Sequence, residues 1–442
     1  MGKLSSAEIV EKSRKFNLFS WSVQCKVNPV VVDTAEGIYL KTPEGKEFID
    51  LSSQLVNANI GHQHPKAVAA IKAQADKLTF AAPSFATEEK AICAEKIIDL
   101  MPDNFGKCFF TNAGAEANEN AIKMARYFTG KNKIIARYRS YHGATMGAIA
   151  LTGDPRRWPT EPGMPGVVRA FDPYCYRCPF GKEYGKCEIE CATHVEEIIE
   201  YEGAGTIAAM IIESSVGSNG LFPAPQEYYD KLRAILTKHK ILLIADEVMA
   251  GWGRTGKNFC FENYGYKPDI VTTAKGLTGG YVPLGVTIVS SEIADYFEDK
   301  MLSCGLTFSG HTLCVATASA VIDIYKDENL VEKSAKMGEY VGKRLNELKD
   351  KHPSIGDVRG LGLFWGIEFV KNRETKEMMC PFGGGASPMD ELNKNLGARG
   401  IIVLLHWNVL MFCPPLVITK EEIDKIIDIL DEEIKVLDAH VK

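Results

Sequence analysis

Two polar residues close apolar runs in this chain: Asp246 ends Ile241-Leu-Leu-Ile-Ala-Asp246, and Lys275 ends Ile270-Val-Thr-Thr-Ala-Lys275. An acid and a primary amine of this kind suit carbonyl–amine chemistry on a heterocycle. The amine forms a Schiff base with an aldehyde. The acid keeps a pyridine nitrogen protonated, so the ring can take up electrons from the reacting carbon. That pairing points to pyridoxal 5'-phosphate (PLP). A plain buried Asp–Lys ion pair accounts for the same two residues, so the surrounding pattern has to decide.

Both residues need a scaffold that delivers them to one place. Short apolar runs without alternation read as central strands of a parallel sheet covered on both faces. Such sheets bind ligands at the carboxyl ends of their strands. Phe109-Phe-Thr-Asn-Ala-Gly-Ala-Glu-Ala117 reads as another strand that ends in a glycine turn and runs into a helix through Arg126. The Gly114 and Ala115 amides then stand at a helix N-terminus, where a phosphate can bind. Tyr141-His142-Gly143 follows the apolar segment Lys133-Ile-Ile-Ala136 and offers a ring to stack on a heterocycle, although for that tripeptide alone an exposed loop tyrosine is the better reading. Glu213 ends a further run, Ile207-Ala-Ala-Met-Ile-Ile-Glu213, where it can hydrogen-bond a cofactor or substrate group.

Gly251-Trp-Gly-Arg-Thr-Gly-Lys-Asn258 mimics two nucleotide motifs and satisfies neither. A dinucleotide fingerprint needs an immediate helix and a later acidic residue, whereas an aromatic, glycine-broken segment follows here. A P-loop needs Ser or Thr where Asn258 stands.

Taken together, the pieces resemble the class III PLP-dependent aminotransferases of fold type I over nearly the whole chain. They are Asn112-Ala-Gly-Ala-Glu-Ala117, Tyr141-His-Gly143, Glu213, Asp246-Glu-Val248 with Gly251–Gly256, Lys275-Gly276, Thr307-Phe-Ser-Gly-His311 and Pro414-Pro415. The resemblance implies an α/β fold: a large, doubly wound, mostly parallel PLP-binding domain over residues 59–324 and a smaller α+β domain over 325–442. Residues 1–58 form an N-terminal segment that joins the small domain. It implies that Lys275 is the Schiff-base lysine and Asp246 the partner of the pyridine nitrogen. Gly114 and Ala115 hold the phosphate, Tyr141 and Val248 cover the two ring faces, and His142 and Glu213 border the cofactor. Thr307 reaches the phosphate of a neighbouring subunit, which makes a homodimer, or a tetramer of two such dimers, the working unit. The reaction so implied is a ping-pong amino transfer from an amino donor to a 2-keto acid. Racemases and epimerases share the fold and form the alternative; a non-enzymatic binding protein would be free to lose Lys275.

Substrate choice must come from outside this set. Family members often carry an Arg just before the Pro-Pro pair, but Leu405-His-Trp-Asn-Val-Leu-Met-Phe-Cys-Pro414 has none. Another cation has to meet an anionic substrate end, because an unpaired buried anion is costly. Arg156 and Arg157, in Thr152-Gly-Asp-Pro-Arg-Arg-Trp158, are the best placed, Arg156 first, with Trp21 lining the pocket from the N-terminal segment. A surface arginine and an entry-helix anchor are the plainer readings of Arg156 and Trp21. By subfamily similarity the donor is a short ω-amino acid or aminosulfonate, taurine first and β-alanine next. The acceptor is 2-oxoglutarate, then pyruvate.

Composition agrees with an ordinary enzyme. A net charge of −6 over 442 residues argues against nucleic acid as a partner. No apolar run reaches the roughly 18 residues of a membrane span. The N-terminal residues lack a signal-peptide core, and their loose match to a myristoylation pattern at Gly2 is set aside. Twelve cysteines without a signal peptide indicate reduced thiols in the cytoplasm. Cys175, Cys178, Cys187 and Cys191 have spacings open to a zinc staple, but the gap between the pairs is short and Cys187 and Cys191 read as a first helical turn. No metal is assigned, and a surface excursion bearing free thiols is the other reading. Helices are expected at Ser5–Phe16, Val315–Tyr325, Glu332–Lys349 and Lys420–Leu437, strands at Phe364–Val370 and Ile401–Leu405, and a loop at Gly383–Gly385.

Overall fold

The protein's structure, a computed structural model, describes residues 4–442; Gly2 lies outside the described residues. Helix Ser6–Phe16 starts where Ser5 and Glu8 cap each other reciprocally. The chain then lays down β1 (Thr34–Glu36), β2 (Tyr39–Lys41) and β3 (Glu47–Asp50) as an antiparallel set.

The large sheet holds β4 (Phe105–Thr111), β5 (Lys133–Arg137), β6 (Val167–Ala170), β7 (Ile207–Glu213), β8 (Leu242–Asp246), β9 (Ile270–Thr273) and β10 (Gly285–Ser290). Its order is β4-β10-β9-β8-β7-β5-β6, and β10 alone runs antiparallel to its neighbours. All seven residues of β7 are buried, which explains why its sequence is apolar without alternation. Burying each such Ile contributes about 1.5–3 kcal/mol. From β5 the chain first winds outward to β6, then returns to the other side of β5 and continues β7-β8-β9. The reversal makes the β5/β7 junction a topological switch point, the place where open α/β sheets bind ligands.

Helices Thr312–Asp327 and Leu330–Lys351 lead out of this sheet, separated at Asn329, whose φ is 50°. Beyond them lie β11 (Ile355–Leu361), β12 (Phe364–Asn372), β13 (Glu377–Met378), β14 (Ile401–Ile402), β15 (Leu404–His406) and β16 (Val409–Phe412). Their sheet has the order β11-β12-β16-β15, with β13 on β12. The expected strand at 401–405 is split between two sheets: β14 leaves to pair parallel with β3, tying the C-terminal part to the N-terminal segment. The last helix likewise breaks, Lys420–Glu433 followed by Lys435–Asp438. Gly383–Gly385 lies in a loop, all three glycines at positive φ. One correction concerns the cysteine segment. Its helix begins at Glu190, so Cys187 precedes it and Ile189 turns the chain with left-handed backbone.

Candidate active site

Three adjacent parallel strands end side by side. Glu213 of β7 is in register with Asp246 of β8, and Asp246 with Thr272 of β9. Two residues after β9 comes Lys275. Its φ of 46° places a non-glycine residue in the left-handed region, a local strain typical of functional positions. Gly276 follows because nothing larger fits: a Cβ there would stand 2.5 Å from Asn59 Nδ2 and 2.8 Å from Trp252 Cβ. Its carbonyl accepts from Tyr325 Oη at 2.8 Å. The lysine therefore leaves a fixed turn.

Asp246 is buried and accepts three hydrogen bonds. Asn118 Nδ2 and His142 Nδ1 donate to its Oδ2 at 2.8 and 2.7 Å, and the Val248 amide donates to Oδ1 at 3.0 Å. Asn118 also donates to the His142 carbonyl at 2.7 Å and accepts from Thr272 Oγ1 at 2.6 Å. One asparagine thus binds β9, the β8 acid and the loop after β5 into a unit. Asn118 sits one helical turn after Gly114, so its i+4 spacing was the available signal for it.

Glu213 spends both oxygens on backbone. Oε1 accepts from the Tyr141 amide at 3.0 Å and Oε2 from the Gly217 amide at 2.8 Å, so it anchors the Tyr141 loop instead of reaching outward. Burial raises its pKa, the Asp246 charge raises it further, and His142 opposes both. The half-buried Lys275 amine is pushed below the usual lysine range by desolvation. Asp246 and Glu213 hold it up in part, and Arg156 lowers it again. A lysine tuned downward keeps more of its amine neutral and nucleophilic near neutral pH.

Beside these groups, helix Gly114–Thr129 begins after Ala113, which offers no side-chain cap, and its first amides have no intrahelical acceptor. A Cβ on Gly114 would lie 2.7 Å from both Val248 methyls, and one on Gly143 would lie 2.5 Å from the Ala115 Cβ. The turn is therefore packed so closely that only backbone can line it. An uncapped helix end, a buried carboxylate, a lowered amine and the orphaned Nε2 of buried His142 fit a phosphate-tailed pyridine.

Against the Tyr141 loop, the Arg156 guanidinium lies 3.8 Å from the centre of the Tyr141 ring and 5.8 Å from that of Trp21. The two rings meet edge to face at 6.4 Å. The structure thus brings Trp21, Tyr141 and Arg156 together. Arg156 is not a free cation, however: Nε donates to buried Asp154 at 2.9 Å, and Nη2 donates to Asp154 and, at 2.7 Å, to Ser218 Oγ. A ligand would be met by Nη1. Thr307 is exposed on a separate surface segment.

The family model for aminotransferase class-III matches residues 21–434. The structure of a taurine:2-oxoglutarate aminotransferase from Bifidobacterium kashiwanohense, in complex with PLP and glutamate, superposes with a TM-score of 0.96 at 39% identity, covering 100% of both chains. A leucine/methionine racemase from Thermococcus litoralis is 36% identical, covering 97% of this chain and 95% of that protein. A gamma aminobutyrate transaminase from Solanum lycopersicum is 34% identical, covering 91% of this chain and 79% of that protein.

The chain belongs to the class III aminotransferases. Its cofactor is PLP, and its fold is fold type I.

Two motifs singled out in the sequence of this aminotransferase take their roles from tertiary packing. The glycine-rich segment 251–256 is a clamp, not a phosphate loop. Buried Arg254 donates to the carbonyls of Leu363 at 3.0 Å and Pro414 at 2.5 Å, and to Asn59 Oδ1 at 2.6 Å. Its neighbours are glycines because Gly253 packs on Leu416 and Val331, and Gly256 on Ala335. The cysteine segment is the second. Cys175, Cys178, Cys187 and Cys191 line one small cavity with Tyr174. Burial and the neighbouring thiols push Cys175 up to about 11 and Cys191 up to about 12, so both are held as thiols. Among the described residues, no three His, Cys, Asp or Glu side chains form a group that could hold a metal ion. No described helix is long and apolar enough to cross a membrane.

Proposed function

We propose that this aminotransferase moves the amino group of a short ω-amino acid or aminosulfonate, taurine before β-alanine, to 2-oxoglutarate or, second, pyruvate. The observation that carries the reading is Arg156: a cation stacked on Tyr141 whose charge is felt at the Lys275 amine. An amine delivered to Lys275 with its anionic end at Arg156 must be a short molecule charged at both ends. The similar enzyme from B. kashiwanohense uses taurine and 2-oxoglutarate, which supports the same choice.

PLP, when bound, supplies the aldehyde for amine exchange and the ring that takes up electrons from the substrate carbon. Gly114 and Ala115 N–H groups would hold its phosphate, with Asp246 at the pyridine nitrogen, Tyr141 and Val248 against the ring, and His142 and Glu213 at its border. Asn118 and His142 keep Asp246 in position through the hydrogen bonds they donate to it. Lys275 Nζ would take the proton from the substrate's amine-bearing carbon as general base and return it as general acid. Arg156 and Trp21 orient the donor. Thr307 serves the site of a second copy in a homodimer; it shares its exposed segment with Met301 and Phe308, apolar side chains that a partner would cover. Free thiols throughout are in keeping with a cytoplasmic setting.

The test is amino transfer from a donor panel with each keto acid, read as glutamate or alanine formed. Taurine or β-alanine should exceed 4-aminobutyrate and α-amino donors. Activity with those last two and none with taurine or β-alanine would overturn the reading. A racemase is the second reading, favoured by the 36% identity to the T. litoralis enzyme. It predicts inversion of an α-amino acid with no keto acid present.

A further inference from the structure

β15 ends in His406, and the turn that follows carries Trp407 at φ 53°; the Gly383-Gly384 loop stands against both Trp407 and Pro155 of the Arg156 turn. Asn408 fixes this turn by donating to the Phe369 carbonyl at 2.9 Å. The His406 and Trp407 rings stand 4.0 Å apart, and Trp407 meets Phe382 at 4.4 Å. A second arginine closes the group. Arg139 donates to the Asn219 carbonyl at 3.2 Å, and its guanidinium lies 4.8 Å from the Tyr174 ring centre, 5.2 Å from Phe382 and 5.7 Å from Trp407.

Within this wall His406 Nε2 is buried and has no hydrogen-bond partner among the described residues. Burial and the charges of Arg156 and Arg139 push its pKa down to about 4, against a smaller opposing effect of Asp154, so the imidazole is neutral at physiological pH. A buried ring nitrogen without a partner is a cost that no neighbour offsets. Two permanent cations beside it make an anion's oxygen the partner the surroundings favour, and a neutral imidazole offers one N–H for it.

We propose that His406, with Arg156, forms the pocket for the substrate's anionic end and donates the hydrogen bond that favours a three-oxygen sulfonate over a two-oxygen carboxylate. The inference rests on the donor class proposed above. Arg156 has Nε and Nη2 committed to Asp154 and Ser218, so it alone cannot satisfy a sulfonate. A carboxylate has one oxygen fewer to satisfy and depends less on His406.

Taurine and β-alanine differ only in that anion and make the measuring pair. In the holoenzyme, His406→Phe should lower kcat/KM for taurine at least about tenfold, mostly through KM, and for β-alanine less than threefold. His406→Asn, which keeps an N–H donor, should recover part of the loss. Equal losses for both donors in both variants would mark a structural role and overturn the proposal, as would no loss at all. Competitive inhibition by ethanesulfonate and propionate, measured against whatever donor the enzyme turns over, reads the same discrimination when neither taurine nor β-alanine is a donor. In that case the donor reading fails while His406 is still tested: a selective loss of ethanesulfonate inhibition in His406→Phe supports it, and an unchanged ratio overturns it.

Discussion

The two walls of the cleft are built by different rules. On the cofactor side, Asp246, Asn118, His142 and Thr272 come from strand ends and the helix after β4 and bind one another in a buried network. On the substrate side, Arg156, Arg139, His406 and Trp407 come from a short 3-10 turn, loops and a short edge strand, held by stacking and, at Arg156, by hydrogen bonds to Asp154 and Ser218. Rigid strands position chemistry that does not change between substrates; loops carry the groups that choose among them. The first wall should therefore fail as a unit when any member is lost, and the second should fail selectively.

The largest effect is expected at Lys275. Lys275→Ala should cut turnover by roughly 10⁴-fold or more with every donor, and borohydride should leave no cofactor attached in the mass spectrum. Arg254→Ala tests the clamp beneath the site. It leaves the Leu363 and Pro414 carbonyls and Asn59 without their donor, so destabilisation of about 3–5 kcal/mol is expected in urea unfolding. Asp246→Asn should lower kcat by about 10²–10³-fold, again for all donors. Arg156→Gln should instead split them: kcat/KM for taurine falls about 10–100-fold and that for an uncharged primary amine hardly changes. A uniform loss in Arg156→Gln would erase the contrast between the walls.

The smallest effect is on stability against pH. The folded chain holds His406 at about 4, below the ordinary 6.5, so the unfolded chain takes up the proton first. Stability from this residue is present above about pH 6.5 and is lost as the pH falls toward 4. His406→Phe removes that contribution, and its melting temperature should decline less than the parent's between pH 7 and 5.

The same division explains what the sequence makes legible. Asp246 and Lys275 stand out because each is a charged residue closing an uncharged run, and Gly114 because a strand-to-helix turn has a recognisable pattern. Asn118 was within reach, one helical turn from Gly114, yet a polar residue on a helix reads as solvated unless its partner strand is known. Arg139 and His406 carry no local signal. They lie far apart in sequence and meet only because β15 folds back beside the loops that follow β5. Arg254 was hidden for a related reason: its glycine neighbours suggested a phosphate loop, whereas they admit the close approach of Leu416 and Ala335. The split of the 401–405 run between two sheets is equally tertiary, because β14 pairs with a strand more than three hundred residues away.

Amino transfer from a short donor with an anionic tail is tested most directly in a single turnover: purified holoenzyme mixed with taurine and no keto acid. About one equivalent of the corresponding aldehyde should form per active site, with loss of the cofactor's visible absorbance and its recovery on adding 2-oxoglutarate. Unchanged absorbance and no aldehyde, with an α-amino acid inverted under the same conditions, would contradict it.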